Sequence, residues 1–257
     1  MLDMGVDMGD GCRSGLCQAK VMAMAAFSDV IFDFCDVLVD WKPRVTLTGQ
    51  VPEAVIDRLF DRGDPYGFWH YDELSDLGWS EERVLADYAA HHEVAGFVDT
   101  SMADMADTAD TADAVATGEA APFVANQTAY EAFRLYFARQ RLALVGMLPG
   151  MPELLRDLHA AGVRCWGLTN FTVKYVDAAR ELFPELTLLK DVVVSSAERI
   201  HKPDPEIFRR AIARFGVDPA HTAFVDDKPW NAEAGTAAGL HGIRFTDAVS
   251  LRARLLP

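Results

Sequence analysis

The sequence has few cysteines and no long apolar segment, and each scarcity excludes a class of protein. Four cysteines occur among 257 residues, and none of them forms a CxxC pair: Cys12, Cys17, Cys35 and Cys165. Neither a zinc site nor a disulfide framework is expected, which favours a reduced, cytoplasmic setting. No apolar run approaches the roughly 18 to 20 residues that cross a bilayer, so we expect no membrane-embedded segment.

Basic residues are also scarce relative to acidic ones. The chain has 24 Lys and Arg against 39 Asp and Glu, a formal net charge of −15. This balance repels the phosphates of nucleic acids and anionic lipid surfaces, so neither is an expected partner. Hydrophobic residues make up 50% of the sequence, enough for a sizeable core.

Two segments lack the pattern of a packed domain. Residues 1–26 have neither the cationic start nor the apolar core of a signal peptide, and we predict a flexible leader there. Residues 99–121 read DTSMADMADTADTADAVATGEAA, with six acidic residues and no basic one. We interpret this low-complexity stretch as a mobile insertion, with a marginal helix as the alternative.

The rest of the chain alternates strands with helices. After Ser28, the run DVIFDF is typical of a buried parallel strand. Further strands are predicted at 163–168, 191–194, 222–225 and 242–245, and helices at 152–161, 173–182, 204–215 and 231–238. This alternation predicts an α/β fold, a doubly wound parallel sheet covered on both faces, built from residues 27–41 and 147–257.

The intervening block, residues 42–146, carries helical signals. Apolar residues recur at helical spacing over 52–62, 80–97 and 122–145, and Ser80 is a plausible helix start. We therefore predict an α-helical domain inserted into the α/β domain.

Four polar segments follow predicted strands or lie near their ends. They are Asp33, Thr169-Asn170, Lys202 and Asp226-Asp227. The carboxyl ends of strands are where open α/β sheets carry their chemistry. Taken singly, the first three could be a turn cap, a helix start and a solvated charge.

The adjacent acids Asp226 and Asp227 repel each other at a strand end unless a cation compensates them. A metal ion is the favoured interpretation. Lys228 is the alternative neighbour, although its position before Pro229 suits solvent better.

The order of these segments, with a helical insertion after the first, resembles the haloacid dehalogenase (HAD) superfamily of aspartate-nucleophile hydrolases. The motifs are KPDPEIF and FVDDxxxN, with FDFCDVLVDW similar to the FDFGNVLVDW-like motif of a phosphatase subgroup and HYDELSDLGW similar to its cap segment. The resemblance runs from about Phe27 to the C-terminus. It implies a Rossmann-like core, a helical C1-type cap and Mg²⁺-dependent phosphoryl transfer.

The resemblance also implies a nucleophile and a metal site. Asp33 would attack phosphorus and form an aspartyl-phosphate that water later opens. Mg²⁺ would be held by Asp33, the backbone carbonyl of Cys35 and Asp227, with Asp226 reaching it directly or through water.

Further residues would bind the phosphoryl group. The Thr169 hydroxyl and the Asn170 backbone N–H would hold its oxygens, and Lys202 would neutralise charge and orient Asp33. Asn231 would steady the loop that carries the two adjacent acids.

Two motif positions depart from the family pattern. Cys35 stands where a second Asp usually protonates the leaving oxygen, and an acid, Asp36, follows one place later. Because a thiol is a poor proton shuttle, we favour a turn residue over a catalytic thiol at Cys35, with Asp36 or water as the proton source. Arg199 and His201 stand where such loops often carry Gly, and we expect His201 to face solvent.

A group of cap residues has two interpretations. They either face the active site and select the leaving group, or form the cap core, which we favour: Trp41, Arg44, Phe68, Trp69, His70 and Tyr71.

The sequence thus predicts a Mg²⁺-dependent phosphatase for a small phosphorylated metabolite, with sugar phosphates among the candidates. A 2-haloacid dehalogenase and a phosphomutase are alternative enzymes, although the first has no need of the acid pair and the second depends on the acid that Cys35 replaces. A binding or regulatory protein that has lost turnover is the alternative outside enzymes. The oligomeric state is not predicted.

Overall fold

The computed structural model describes residues 25–94 and 122–257, with the side chains of 122–125 left aside. The insertion predicted at 99–121 and nearly all of the predicted leader lie outside these residues. Within them, no helix has the length and hydropathy needed to cross a membrane.

A five-stranded parallel sheet forms the centre of the fold. Its order is β5-β4-β1-β6-β7, and the strands are β1 (Asp29–Phe32), β4 (Arg164–Thr169), β5 (Leu189–Val194), β6 (Thr222–Asp226) and β7 (His241–Arg244). The four residues of β1 are fully buried because the strand is central and covered on both faces. The prediction of an α/β fold with a parallel sheet is confirmed.

Helices cover both faces of this sheet. They are α5 (Met151–Ala160), α6 (Val173–Leu182), α7 (Ser195–Glu198), α8 (Pro205–Phe215), α9 (Pro229–Ala237) and α10 (Ala248–Leu255). Successive side chains of a strand point to opposite faces. Accordingly, Val30 and Phe32 belong to one buried cluster with residues of α5, α6 and α10, while Ile31 belongs to a second cluster with residues of α8. The sheet is therefore doubly wound.

A helical cap is inserted between β1 and β4, as the sequence predicts. Its helices are α1 (Glu53–Leu59), α2 (Phe68–Asp76), α3 (Glu81–His91) and α4 (Pro122–Arg139). Aromatic side chains dominate its interior, among them Tyr71, Tyr88 and Phe133. The hydroxyls of Tyr136 and Tyr175 form a hydrogen bond that joins α4 to α6 of the core.

Two features of the cap differ from the sequence prediction. The helix predicted to reach residue 145 ends at Arg139, and strand β3 (Leu144–Met147) pairs antiparallel with β2 (Val39–Trp41). Strands this short, paired across about a hundred residues, leave no periodic pattern in the sequence. Helix α2 was not predicted either, because it buries only Phe68 and Tyr71 and so lacks a continuous apolar stripe.

A buried carboxylate ties the start of β1 to β4. Asp29 has no exposed surface, and its oxygens lie 2.7 Å from Arg164 Nε and 2.9 Å from Trp166 Nε1. Ser28 Oγ donates a further hydrogen bond of 2.8 Å. If a buried carboxylate loses a charged donor, its negative charge is no longer fully compensated, and the folded state is destabilised.

We expect Arg164→Leu to lower the free energy of unfolding by about 2 kcal/mol, measured by urea denaturation. The matched control is Arg252→Leu, which removes a half-exposed pair with Asp157 at 2.5 Å and should cost less than about 1 kcal/mol. Equal losses in the two variants would contradict the structural role of the Asp29 cluster.

Candidate active site

The segments singled out in the sequence meet at the carboxyl edge of the sheet. Asp33 directly follows β1, Thr169 ends β4 and Asp226 ends β6. Phe32 is in register with Gly167 of β4 and with Val225 of β6, so the three strand ends lie side by side. Lys202 reaches the same edge from the loop between α7 and α8.

The Lys202 ammonium lies between two carboxylates. Its Nζ is 2.9 Å from Asp33 Oδ1 and 2.7 Å from Asp226 Oδ2. Lys202 and Asp226 are almost completely buried, and Asp33 is 8% exposed. Such a buried ion arrangement is stable only when its members stay paired.

Asn170 fixes the loop that carries Lys202. Its Oδ1 accepts a hydrogen bond from Lys202 N at 2.8 Å, and its Nδ2 donates to Lys202 O at 2.9 Å. The sequence suggested only a backbone role for Asn170, and this positioning by the side chain was missed.

The charged groups at the sheet edge shift each other's pKa. Burial raises the pKa of Asp33 to about 7, with Lys202 opposing the shift and Asp226 adding to it. Burial disfavours the charged form of Lys202, but attraction to Asp33 and Asp226 outweighs it and raises the pKa of the ammonium. Lys202 is therefore a fixed positive charge, while the carboxylates still repel one another.

Three carboxylates are close enough to hold one metal ion. Asp33, Asp226 and Asp227 each offer an oxygen, and these oxygens lie within 4.8 Å of one another. Asp226 is oriented by Asn231 Nδ2 at 3.1 Å and by the Lys228 backbone N–H at 2.9 Å. A set of hard oxygen donors with net negative charge suits Mg²⁺.

The sequence prediction for Lys228 is wrong in part. Its side chain is half-exposed, yet Nζ lies 2.6 Å from Asp227 Oδ2. Lys228 thus compensates one acid of the pair from the solvent side, while the three-carboxylate cluster persists.

Thr169 carries a buried hydroxyl with unused hydrogen-bonding capacity. Among the described residues, its Oγ1 is one of a few buried polar atoms without a partner. Because such atoms are normally satisfied in folded proteins, a hydroxyl left free at the end of β4 fits a group that binds a phosphoryl oxygen.

Cys35 and Asp36 occupy a tight turn after Asp33. The Phe34 carbonyl accepts hydrogen bonds from the backbone N–H groups of Leu38 and Val39, both at 2.8 Å. Asp36 has a φ of 59° and is exposed. Burial, followed by repulsion from Asp33, raises the pKa of the Cys35 thiol well above its usual value, which makes it a weak acid.

A cavity of about 420 Å³ lies between this edge and the cap. Its core side is lined by Asp33, Asp36, Asp227 and Lys202, whereas Asp226 and Thr169 are fully buried and lie outside the lining. Its cap side is lined by Trp41, Arg62, Trp69, Asp72 and Asp76. Such a volume accommodates a small metabolite.

The cap residues listed in the sequence divide into two groups. Phe68 and Tyr71 are buried in the cap interior, in agreement with the favoured interpretation that they belong to the cap core. Trp41 and Trp69 fit both interpretations, because each packs against the aromatic core and also lines the cavity, with ring centroids 6.4 Å apart and planes nearly perpendicular.

Two other candidates lie outside the lining of this cavity. Arg44 pairs with Glu53 at 2.5 Å and Asp57 at 2.6 Å. The ring of His70 packs against Tyr66 and Tyr71.

Sequence reasoning missed three charged residues of the cavity, in addition to Pro43 and Phe171. Arg62 places its guanidinium carbon 4.0 Å from the centre of the Trp69 ring. Asp72 and Asp76, four residues apart on α2, share one helix face. Their spacing within HYDELSDLGW was an available signal.

His201 also departs from its prediction. It is partly buried rather than facing solvent, and its Nε2 lies 3.4 Å from Glu73 Oε1 on α2. The loop that carries Lys202 therefore approaches the cap.

Comparison with known proteins assigns the family. A model of haloacid dehalogenase-like hydrolases matches residues 30–239. The match covers most of the chain, so this protein belongs to that family of hydrolases, as the motifs predicted.

Several curated relatives align with part of the chain. A sesquiterpene phosphatase of Aspergillus oryzae is 33% identical over 100 residues, covering 39% of this chain and 51% of that protein. A flavin mononucleotide hydrolase of Arabidopsis thaliana is 31% identical over 104 residues, covering 40% of this chain and 42% of that protein. The chain therefore matches about half or less of the length of these relatives.

Solved structures share the fold. A haloacid dehalogenase family enzyme of Bacteroides thetaiotaomicron, in complex with magnesium and inorganic phosphate, has a TM-score of 0.56 at 14% identity, covering 86% of this chain and 95% of that one. A HAD-like hydrolase of Porphyromonas gingivalis has a TM-score of 0.55 at 20% identity, covering 90% of this chain and 99% of that one. At these identities the likeness concerns the fold alone.

We expect Mg²⁺ to stabilise the folded protein, because it relieves repulsion among the three carboxylates. At about ten times its Kd, the cation should raise Tm by about 3–5 °C in a thermal melt. Asp227→Asn should abolish most of this shift, whereas the surface variant Asp157→Asn should retain it. A full shift in Asp227→Asn would contradict the assignment of the site.

Proposed function

We propose that this protein is a Mg²⁺-dependent phosphatase that hydrolyses a small phosphate monoester through an aspartyl-phosphate intermediate. The observation that carries the proposal is the cluster of Asp33, Asp226 and Asp227 around the buried Lys202 ammonium. A phosphate monoester repels an anionic nucleophile, so catalysis needs positive charge beside an oriented carboxylate.

Asp33 has one oxygen held and one oxygen available. Oδ1 accepts hydrogen bonds from Phe34 N at 2.7 Å and from Lys202 Nζ at 2.9 Å. Within the described residues, Oδ2 has no such donor, and we assign it the attack on phosphorus. The Oδ2–P bond forms as the bond to the leaving oxygen breaks, and water then attacks phosphorus, releasing phosphate and regenerating Asp33.

The neighbouring residues hold the transferred group. Asp33, Asp226 and Asp227 would hold Mg²⁺, which supplies positive charge at the phosphoryl oxygens when bound. The Cys35 carbonyl completes this set by family resemblance. The Thr169 hydroxyl and the Asn170 N–H donate to phosphoryl oxygens, and Lys202 compensates the charge beside the attacking carboxylate.

The cap side of the cavity is the place where the leaving group is selected. Trp41 and Trp69 offer aromatic faces, and Arg62 offers a cation close to the Trp69 ring. Sugar phosphates fit this mixture of aromatic and charged groups. The names of the relatives include phosphatases for N-acetylmuramic acid 6-phosphate, phosphoglycolate and phosphoserine. The substrates in these names all carry a phosphoryl group but differ in the leaving group. The relatives therefore support a phosphatase, and the substrate has to be found by experiment.

A 2-haloacid dehalogenase is the competing enzyme. One relative, 28% identical over 97 residues, is an (S)-2-haloacid dehalogenase of Burkholderia cepacia. In that chemistry an aspartate attacks carbon and has no need of a metal. The cluster of three carboxylates therefore favours phosphoryl transfer.

We expect Asp33→Asn to reduce turnover of a panel of phosphate monoesters in Mg²⁺ to below about one per cent of wild type, because an amide neither attacks phosphorus nor neutralises a metal. Tm and circular dichroism should show that the variant is folded. Asp157→Asn, a half-exposed position on α5 outside the cavity lining, is the matched control and should retain full activity.

The same assay is repeated with a chelator, to test metal dependence, and with a haloacid, to test the competing dehalogenase. Wild-type activity on phosphate monoesters should disappear in chelator and return with Mg²⁺. Halide release that persists in chelator would establish the dehalogenase instead. A wild type that turns over neither substrate class would favour a binding protein.

A further inference from the structure

Helix α2 directs two carboxylates into the active-site cavity. Asp72 and Asp76 line the cavity together with Asp33 and Lys202, and both are partly buried. Within the described part of the chain, neither carboxylate forms a hydrogen bond or an ion pair with another residue. By contrast, Glu73 of the same helix is exposed and lies 3.4 Å from His201 Nε2.

The end of α2 is packed closely against the core. Gly78, just beyond the helix, has a φ of +91°, and a Cβ at this position would lie 2.6 Å from the Ser196 carbonyl oxygen. Only glycine allows this approach without a shift of the backbone. The contact holds α2 at the edge of the sheet that carries Asp33.

Phosphoryl transfer to Asp33 needs a proton at the leaving oxygen, and the core has no suitable donor in the usual place. Cys35 occupies that position, and burial and nearby carboxylates raise the pKa of its thiol well above the usual range. Lys202 is held in ion pairs with Asp33 and Asp226. Asp36 also lines the cavity, and burial raises its pKa, but it is exposed on the turn and Lys228 and Lys42 favour its ionised form.

We propose that Asp72 and Asp76 together form the general acid of this active site, supplied by the cap in place of the missing core carboxyl. The inference rests on the proposed phosphatase function. As the P–O bond breaks, its electron pair stays on the leaving oxygen, which takes the proton of the pair. The ionised pair then takes a proton from the water that opens the aspartyl-phosphate, so that the cycle closes.

The surroundings of the pair favour retention of a proton. Burial, followed by repulsion from Glu73, raises the pKa of Asp72 to about 7. Burial, then Asp72 and Asp33, raises the pKa of Asp76 well above its usual value, with Lys202 opposing the shift. Arg62 is the other charged cap residue on this cavity, and Asp72 also borders a neighbouring cavity that contains Glu81, Lys174, Tyr136 and Tyr175. Two carboxylates that share a poorly solvated site do not both ionise readily.

A leaving-group series tests the proposal. The substrates are p-nitrophenyl phosphate, whose leaving group needs no proton, and a panel of alkyl and sugar phosphates, whose leaving groups need one. In saturating Mg²⁺, the double variant Asp72→Asn/Asp76→Asn should lose about 10²- to 10⁴-fold in kcat/KM on the best alkyl ester, because kcat/KM reports the steps up to departure of the leaving group. It should lose less than about tenfold in kcat/KM on p-nitrophenyl phosphate.

Two controls separate proton donation from structure. Glu82→Gln, at an exposed acid in the first turn of cap helix α3, should leave both substrates unaffected. The single variants show which carboxylate is needed, and each variant's Tm checks folding. For alkyl esters the wild-type kcat/KM should fall as pH rises through the pKa of the pair, and the double variant should lose this limb of the profile.

The outcomes distinguish the two proposals. Equal losses on both substrate types, or no loss on either, would overturn the general-acid assignment and leave the phosphatase standing. Wild-type activity confined to p-nitrophenyl phosphate would also overturn it. A wild type inactive on every ester would refute the phosphatase, and the general acid with it.

Discussion

The active site depends on one buried ammonium. Lys202 bridges Asp33 and Asp226, which reach the same place because their strands are neighbours of one parallel sheet. Without this charge, two carboxylates would face each other in a poorly solvated position, at a cost of several kcal/mol. The surrounding contacts preserve the arrangement, since Asn170 fixes the backbone of Lys202 and Asn231 orients Asp226.

The cluster still carries more negative than positive charge. Asp33, Asp226 and Asp227 are opposed by Lys202 from within and by Lys228 at the solvent side. A phosphate dianion entering this field would be repelled, so for the proposed phosphatase the cation must bind before the substrate or together with it. The cap contributes two partly buried carboxylates whose pKa is raised by burial. In our proposals the core therefore compensates charge, and the cap selects and protonates the leaving group.

The sequence predicts the core part of this site because each residue there follows a strand or lies in a recognisable motif. Asp33, Thr169 and Asp226 need only a parallel sheet to be brought together. The residues missed depend on how the cap packs. Asp72 and Asp76 belong to a helix that approaches the core closely at Gly78, a contact that local patterns do not reveal. Likewise, the β2–β3 pairing joins segments about a hundred residues apart, and the sequence does not show that Trp41, at the end of β2, lines the cavity as well as packing against the core.

The most direct test of the central claim is detection of the covalent intermediate. Wild-type protein is mixed with a radiolabelled phosphate monoester in Mg²⁺, quenched in acid during the first turnover and mapped by peptide. We expect the label on the peptide that contains Asp33, with no label in chelator or in Asp33→Asn. Release of phosphate in the first turnover with no labelled protein, or a label on another residue, would contradict Asp33 as the nucleophile of a phosphatase.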